Sequence, residues 1–226
     1  MREVVLDTET TGLNHKAGDR VIEVGCLELL NHIPSGKNLQ FYCSVNKKID
    51  ERATKIHGIT NDFLQNHPTF EDQAESFINF IKEDTLIIHN ADFDMGFINN
   101  ELSLIGKEKL SNNVIDTVAL ARKKLNTRIA NLDYLCRRFS IDLSNRKQHG
   151  ALLDAELLAE VYLELNGGKQ ISMNLLTKEE KEKKIEKKNI NNLAFFSKIS
   201  LTDEDVLKHK VLIKDIKNSI WKKIDY

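Results

Sequence analysis

The sequence predicts an α/β fold, a mixed sheet with helices on both faces, plus a C-terminal tail. Three strand-like segments open the chain and are followed by helical stretches that alternate with short apolar strands. The 226 residues, 41% of them hydrophobic, suffice for one domain with a substantial core. Past Asn166, Gly167 and Gly168 the character changes, and Lys178 to Lys188 is almost wholly lysine and glutamate.

Taken in order, strands are expected at Glu3 to Thr8, Val21 to Leu29 and Leu39 to Val45. Pro34, Ser35 and Gly36 mark a hairpin turn between the second and third, which makes that pair antiparallel. Helical spacing of apolar residues predicts helices near Glu51 to Ile56, Thr69 to Lys82, Asp92 to Ile105, Thr117 to Leu125, Leu132 to Phe139 and Ala151 to Leu165. Short strands at Leu86 to His89 and Val114 to Ile115 alternate with them. The expected boundaries are a domain over residues 1–168, a linker over 169–190 and a tail over 191–226.

The chemistry begins at the end of the first strand. Asp7 and Glu9 follow the apolar run Val4 to Leu6 and precede Thr10, Thr11 and Gly12. Residues two apart in a strand project to one side, so two carboxylates are placed within a few ångströms of each other. Such a pair repels unless one holds a proton or a cation lies between them, so it reads as half of a metal site. The alternative is strand-end turn chemistry, which Asp, Thr and Gly all favour. Two further carboxylates fall on apolar helical stripes: Asp94 with Phe97, Ile98, Glu101, Leu102 and Ile105, and Asp154 with Leu157, Leu158 and Val161. A buried carboxylate needs a partner. His149, about one turn before Asp154, can reach the same site.

The segments DTETTG, HNADFD and HGALLD, in this order and with these gaps, resemble the three exonuclease motifs of the DEDD 3′–5′ exonucleases, in the subclass with a histidine five residues before the last aspartate. Each motif is short, and their joint occurrence is what is specific. More closely, residues 1 to about 168 resemble the proofreading (epsilon) subunits of bacterial DNA polymerase III. The resemblance implies a ribonuclease H-like sheet and two-metal phosphodiester hydrolysis that releases nucleoside 5′-monophosphates. It makes Asp7, Glu9, Asp94 and Asp154 the ligands of two Mg²⁺ or Mn²⁺ ions, with Asp7 bridging, Glu9 and Asp154 on the ion that carries the attacking water, and Asp94 on the other. His149 becomes the general base, a role for which imidazole, with an ordinary pKa of ~6.5, is suited. Asp116 also matches an acidic position of the family, or is simply a carboxylate at a helix N-terminus.

The same resemblance implies residues that hold the substrate, a frayed or single-stranded DNA 3′ end, beside Asp7, Glu9 and Asp154. Backbone groups of Thr10 and Thr11 bind the terminal nucleotide, with Gly12 permitting close approach. Leu13 and Phe93 are wedges that splay and stack bases, although Phe93 equally fits a core aromatic. His57 matches a family histidine near the scissile end. Five residues earlier the family pattern commonly shows an acid, whereas this chain has Arg52, which is expected to contact phosphate instead.

Composition is consistent with this reading. No apolar run approaches the ~20 residues of a membrane helix and no signal peptide precedes the first strand, so a cytoplasmic protein without membrane partners is expected. Cys26, Cys43 and Cys136 lie among apolar residues without Cys-x-x-Cys spacing and are expected to be structural. Residues 169–226 carry 14 lysines against 9 acids, whereas the rest has 19 basic and 25 acidic residues. The acidic catalytic half argues against broad duplex binding through counterion release, and a short single-stranded end needs few phosphate contacts.

Two segments of the tail carry partner expectations. Gln170 to Leu175, QISMNL, resembles the clamp-binding motif of bacterial replication proteins, with Gln170 as polar anchor and Met173 and Leu175 as apolar contacts; a plain linker is the alternative. Thr202 followed by Asp205 forms a capping-box-like helix start, and Val206, His209, Ile213, Ile216, Ile220 and Ile224 recur at helical spacing. With Leu193, Phe195, Phe196, Ile199 and Trp221 they give about 36 residues too few to bury their own apolar surface. This segment resembles the polymerase-binding tail of the epsilon family, which implies docking on the polymerase α subunit; packing back on the catalytic domain is the alternative. A small accessory subunit is a further implied partner. Three functional classes are thus compared: a proofreading exonuclease, a stand-alone exoribonuclease of the same superfamily and a catalytically idle interaction subunit. Complete catalytic residues disfavour the third, and the long tail favours the first over the second.

Overall fold

The computed structural model of the protein describes residues 1–144, 146, 148–168 and 202–215. Its contacts divide the chain into two units, Met1–Met173 and Asn174–Tyr226. In the first unit, strands β1 (Arg2–Thr10), β2 (Val21–Leu30), β3 (Ile33–Tyr42), β4 (Thr85–Ile88) and β5 (Val114–Asp116) form one sheet in the order β3-β2-β1-β4-β5. The first three strands pair antiparallel, β4 runs parallel to β1, and β5 parallel to β4. The helices are α1 (Glu51–His57), α2 (Asn61–Leu64), α3 (Phe70–Ile81), α4 (Ala91–Leu104), α5 (Thr117–Leu125), α6 (Leu132–Arg138) and α7 (Ala151–Leu165). The parallel strands are reached through helical connections, which is how parallel pairing is made.

One local expectation is corrected. The β2–β3 turn is Asn31-His32, with φ of 52° and 69°, and Pro34, Ser35 and Gly36 lie inside β3. Two-residue hairpin loops favour positive φ at both positions, and asparagine tolerates it. Pro34 is accommodated because β3 is an edge strand, and the pairing register shifts between Leu27 and Leu29.

Side-chain parity then sorts the core. Val4, Leu6, Val24 and Cys26 pack with Phe77, Ile81, Phe97 and Ile98 from α3 and α4. Val5, Leu27 and Leu29 pack on the opposite face with Ala121, Leu135, Ala155 and Leu158 from α5, α6 and α7. Strand periodicity carries this alternation forward to Asp7 and Glu9, on the α7 side. All three cysteines are free and buried.

α7 lies unusually close to the sheet. A Cβ at Gly25, the residue opposite Asp7 on β2, would lie 2.3 Å from the backbone carbon of Ala151, so only glycine lets the first turn of α7 approach. Further along the helix, the buried Tyr162 hydroxyl donates to Glu3 Oε1 at 2.9 Å. No helix among the described residues is long and apolar enough to cross a membrane.

In the second unit, α8 (Asp203–Asp215) starts as the sequence predicts. The Thr202 hydroxyl donates to Asp205 Oδ2 at 2.6 Å and accepts from the Asp205 N–H at 3.3 Å. Val206, His209 and Ile213 are less exposed than Leu207 and Val211, in line with the predicted stripe. Gln170, Met173, Leu175, Leu193, Phe195, Phe196, Ile199, Ile216, Ile220, Trp221 and Ile224 lie outside the described residues.

Candidate active site

The predicted carboxylates meet where β1 and β4 end. β4 pairs with β1 only over Glu3 to Val5, so Asp7 and Glu9 continue past it, at the carboxyl end of the parallel strands where open α/β sheets place ligand sites. The pairing register shifts between Glu9 and Thr10, an irregularity of the kind that re-aims side chains beside active sites. Asp94, in the first turn of α4, is 3% exposed and accepts a hydrogen bond from Thr8 Oγ1 at 2.7 Å. Asp154, in the first turn of α7, is 4% exposed. Its Oδ2 lies 3.0 Å from His149 Nδ1, and His149 is anchored by its backbone N–H to the Ile56 carbonyl at 3.1 Å. Ligating atoms of Glu9, His149 and Asp154 all fall within 4.8 Å of one another.

The electrostatics follow from this crowding. Burial, then the charges of Asp94, Asp154 and Glu9, raise the Asp7 carboxyl well above the usual carboxylate range. Burial and the charges of Asp154, Glu23 and Asp94 push Glu9 up to about 8. Burial pushes Asp94 to about 7 in spite of the Thr8 hydrogen bond. Asp154 is the exception: burial acts upward, but hydrogen bonds from His149 and Arg146 outweigh it and hold the carboxyl below its ordinary value. A carboxylate cluster that resists ionisation without a cation and presents converging oxygen and imidazole donors fits hard divalent metals. The other buried acid of the α4 stripe, Glu101, is already neutralised by a two-pronged bond from Arg20 at 2.7 and 2.6 Å.

The substrate candidates line a second hollow of about 200 Å³ that includes Glu9, Thr10, Leu13, Arg52, His57 and Phe93. Leu13 is 85% exposed, whereas Phe93 is partly buried with its ring 4.8 Å from that of Phe97, so Phe93 serves the core edge as well as the hollow. His57 Nδ1 accepts from the Ile59 N–H at 3.0 Å, which assigns the ring proton to Nε2; burial lowers its pKa against a weaker contact with the Thr10 backbone. Thr11 faces elsewhere. Its N–H donates to the Arg20 carbonyl and its own carbonyl accepts from the Asp50 N–H, so its backbone braces the loop. Asp116 caps α5, accepting from the Val118 N–H at 2.8 Å.

Three residues near the centre escaped the sequence reading. Glu23 is buried opposite Glu9 in the β1–β2 register, where its place in a strand gave the only signal. Arg146 and its partner Asp133 belong to the loop before α7 and to α6. Neither lies on a periodic pattern that could have singled it out.

The sequence pattern of the RNase_T family, described as Exonuclease, matches residues 4–162, and the chain belongs to that family. Three solved structures share the fold. The nuclease domain of 3′hExo, a DEDDh family member bound to rAMP, superposes with a TM-score of 0.64 at 18% identity, covering 74% of this chain and 92% of that one. Exonuclease X in complex with 5′ overhanging duplex DNA gives 0.58 at 20% identity, covering 72% and 90%. Exonuclease I gives 0.65 at 18%, covering 73% and 40%. Closer in sequence is the DNA polymerase III subunit epsilon of Rickettsia felis, 40% identical over 96% of this chain and 97% of its own length. That of Escherichia coli is 37% identical over 92% and 90%. Within its family the chain is thus of the DNA polymerase III epsilon type, the proofreading 3′–5′ exonucleases.

Proposed function

We propose that this exonuclease removes mispaired nucleotides from the 3′ end of a DNA primer during replication and releases nucleoside 5′-monophosphates. The observation that carries the reading is the convergence of four carboxylates and one histidine at the ends of β1 and β4. Asp7, Glu9, Asp94 and Asp154 would hold two Mg²⁺ or Mn²⁺ ions. When bound, such a pair supplies an activated water and a counter-charge for the leaving 3′ oxygen. His149, 43% exposed beside the carboxylates, takes a proton from the attacking water. Leu13 and Phe93 splay the terminal bases, Thr10 and Gly12 form the floor beneath the terminal nucleotide, and Thr11 holds that floor in place. His57 and Arg52 contact the sugar-phosphate backbone; Arg52, exposed on α1, presents a cation there rather than an acid.

Residues 191–226 dock on the polymerase α subunit, Gln170, Met173 and Leu175 on the sliding clamp, and a small accessory subunit completes the assembly, all in the cytoplasm. The clamp contact is weak alone and acts through effective concentration within the assembly. Support for the tail comes from the length of the match to epsilon subunits, which extends past the catalytic unit.

The test is digestion of mispaired DNA primers and short RNA oligomers side by side, with and without Mg²⁺. Metal-dependent removal of the mispaired deoxynucleotide is expected, and faster loss of RNA would establish the exoribonuclease reading instead. A chain ending at Leu176 should keep hydrolysis of free single-stranded DNA and lose co-purification with the α subunit. If that truncated chain still forms the complex, the binding surface belongs to residues 1–176.

A further inference from the structure

The roles assigned above leave Arg146 unused. Its side chain is only 8% exposed, and its guanidinium spans two carboxylates. Nε donates to Asp154 Oδ1 at 2.6 Å and a terminal nitrogen to Asp154 Oδ2 at 2.7 Å, the parallel two-bond geometry of a strong Arg–carboxylate pair. The other terminal nitrogen pairs with Asp133. Both oxygens of Asp154 are therefore taken by a cation that the chain itself provides. Among the described residues no lysine or arginine forms an ion pair with Asp7, Glu9 or Asp94, so this compensation is confined to one carboxylate of the cluster.

The same guanidinium also engages His149. The nitrogen that donates to Asp154 Oδ2 lies 2.9 Å from His149 Nδ1, and that Nδ1 lies 3.0 Å from the same Oδ2. An imidazole nitrogen accepts when bare and donates when protonated. Nδ1 therefore accepts from Arg146 when bare and donates to Asp154 when protonated, so the two partners compete for it. One side chain thus occupies Asp154 and contacts His149 at the same time.

A guanidinium forked onto two oxygens and a divalent ion on those same oxygens would be like charges a few ångströms apart, a costly arrangement in a partly buried site. We propose that Arg146 is an internal counter-ion that occupies Asp154 in the metal-free enzyme, held there from its far side by Asp133, and is displaced from it as a divalent cation loads. The proposal rests on Asp154 being a metal ligand, as read above. Asp133 is suited to this hold: it is 44% exposed, stands on α6 outside the carboxylate cluster, and pairs with the far side of the guanidinium. Competition is reciprocal, so whatever Arg146 gives the metal-free protein it takes from metal affinity.

The experiment is calorimetric titration of Mn²⁺ into the full-length wild type, Arg146→Gln and Asp133→Asn, with melting temperatures measured with and without Mn²⁺. Arg146→Gln is expected to bind Mn²⁺ about tenfold more tightly, within the ordinary range of such coupling. It should melt lower than wild type without metal and gain more on its addition. Asp133→Asn, which loosens this hold and leaves Asp154 intact, should shift affinity in the same direction by less. Wild-type or weaker Mn²⁺ affinity in Arg146→Gln, with wild type binding normally, overturns the counter-ion role and leaves the metal site standing. Absence of Mn²⁺ binding in the folded wild type overturns both. Should Arg146→Gln fail to fold without metal, unchanged affinity in Asp133→Asn overturns the proposal.

Discussion

Asp94 and Asp154 are equally buried, each in the first turn of a helix, and they approach β1 from opposite faces of the sheet. Their electrostatic states nevertheless differ. Asp94 has neutral partners, the Thr8 hydroxyl and the backbone of Thr8 and Asp94, and burial pushes it up to about 7. Asp154 has a guanidinium and an imidazole, and it stays below the ordinary aspartate value. Burial alone therefore does not decide the charge of an active-site carboxylate; the partner does. The site has a compensated edge on α7 and an uncompensated edge made of Asp7, Glu9 and Asp94, where an added cation gains most.

The largest effects should erase the distinction between the edges. Asp7→Ala and Asp154→Ala are each expected to lower turnover by at least ~10³-fold, more than the loss of one stabilising donor, while circular dichroism shows a folded protein. His149→Ala should cost ~10² to 10⁴-fold at neutral pH, as removal of a general base does. Full activity in either aspartate variant, or in excess chelator, breaks the metal-site reading.

A geometric variant comes next. Gly25→Ala forces the first turn of α7 away from β1 without touching a charged group. Turnover should fall about 10²-fold, the scale of an ångström's misplacement, with a stability loss of about 1–3 kcal/mol from overpacking. Unchanged kinetics would mean that the compensated edge tolerates displacement.

The smallest effects concern stability, and they separate the edges most directly. In the metal-free protein Asp154→Asn should destabilise by about 3 kcal/mol, because it leaves Arg146 without its buried partner. Asp94→Asn should be neutral or stabilising at pH 8, because it removes a carboxyl that resists ionisation. Glu9 and Asp94 have folded pKa values of about 8 and about 7, above their usual 4.5 and 3.8, so the folded state binds more protons than the unfolded state between those limits. They therefore contribute a loss of stability as pH rises from about 5 to 8, a window in which Asp154, with its lowered pKa, stays ionised in both states. The metal-free melting temperature should fall across that window, and Mn²⁺ should raise it more at pH 8 than at pH 6. A flat profile without metal would remove the asymmetry.

What the sequence made legible is what has a period. Two-residue alternation placed Asp7 and Glu9 together, and helical spacing placed Asp94 and Asp154 among buried apolar residues, as the structure has them. The mixed sheet with helices on both faces followed from segment order. Features without a period were missed. Arg146 lies in a loop, and its carboxylate Asp133 is thirteen residues earlier on another helix. Pro34 to Gly36 carried stronger turn signals than Asn31-His32, yet positive backbone angles at two consecutive residues decided where the chain reversed. Gly25 looked like one small residue in an apolar strand, because the backbone it admits is more than 120 residues away in sequence.

The hydrogen bond between Tyr162 and Glu3 gives α7 a fulcrum. Tyr162 is eight residues beyond Asp154, about 12 Å along the helix axis, and it ties the shaft to the start of the strand whose far end carries Asp7. The lever arm is long for so fine a tolerance: a tilt of about 5° at this fulcrum would carry the Asp154 carboxylate about 1 Å, enough to cost ~10² in rate. The position of the Asp154 carboxylate is thus set partly about 12 Å away, by one phenol and one glutamate outside the carboxylate cluster.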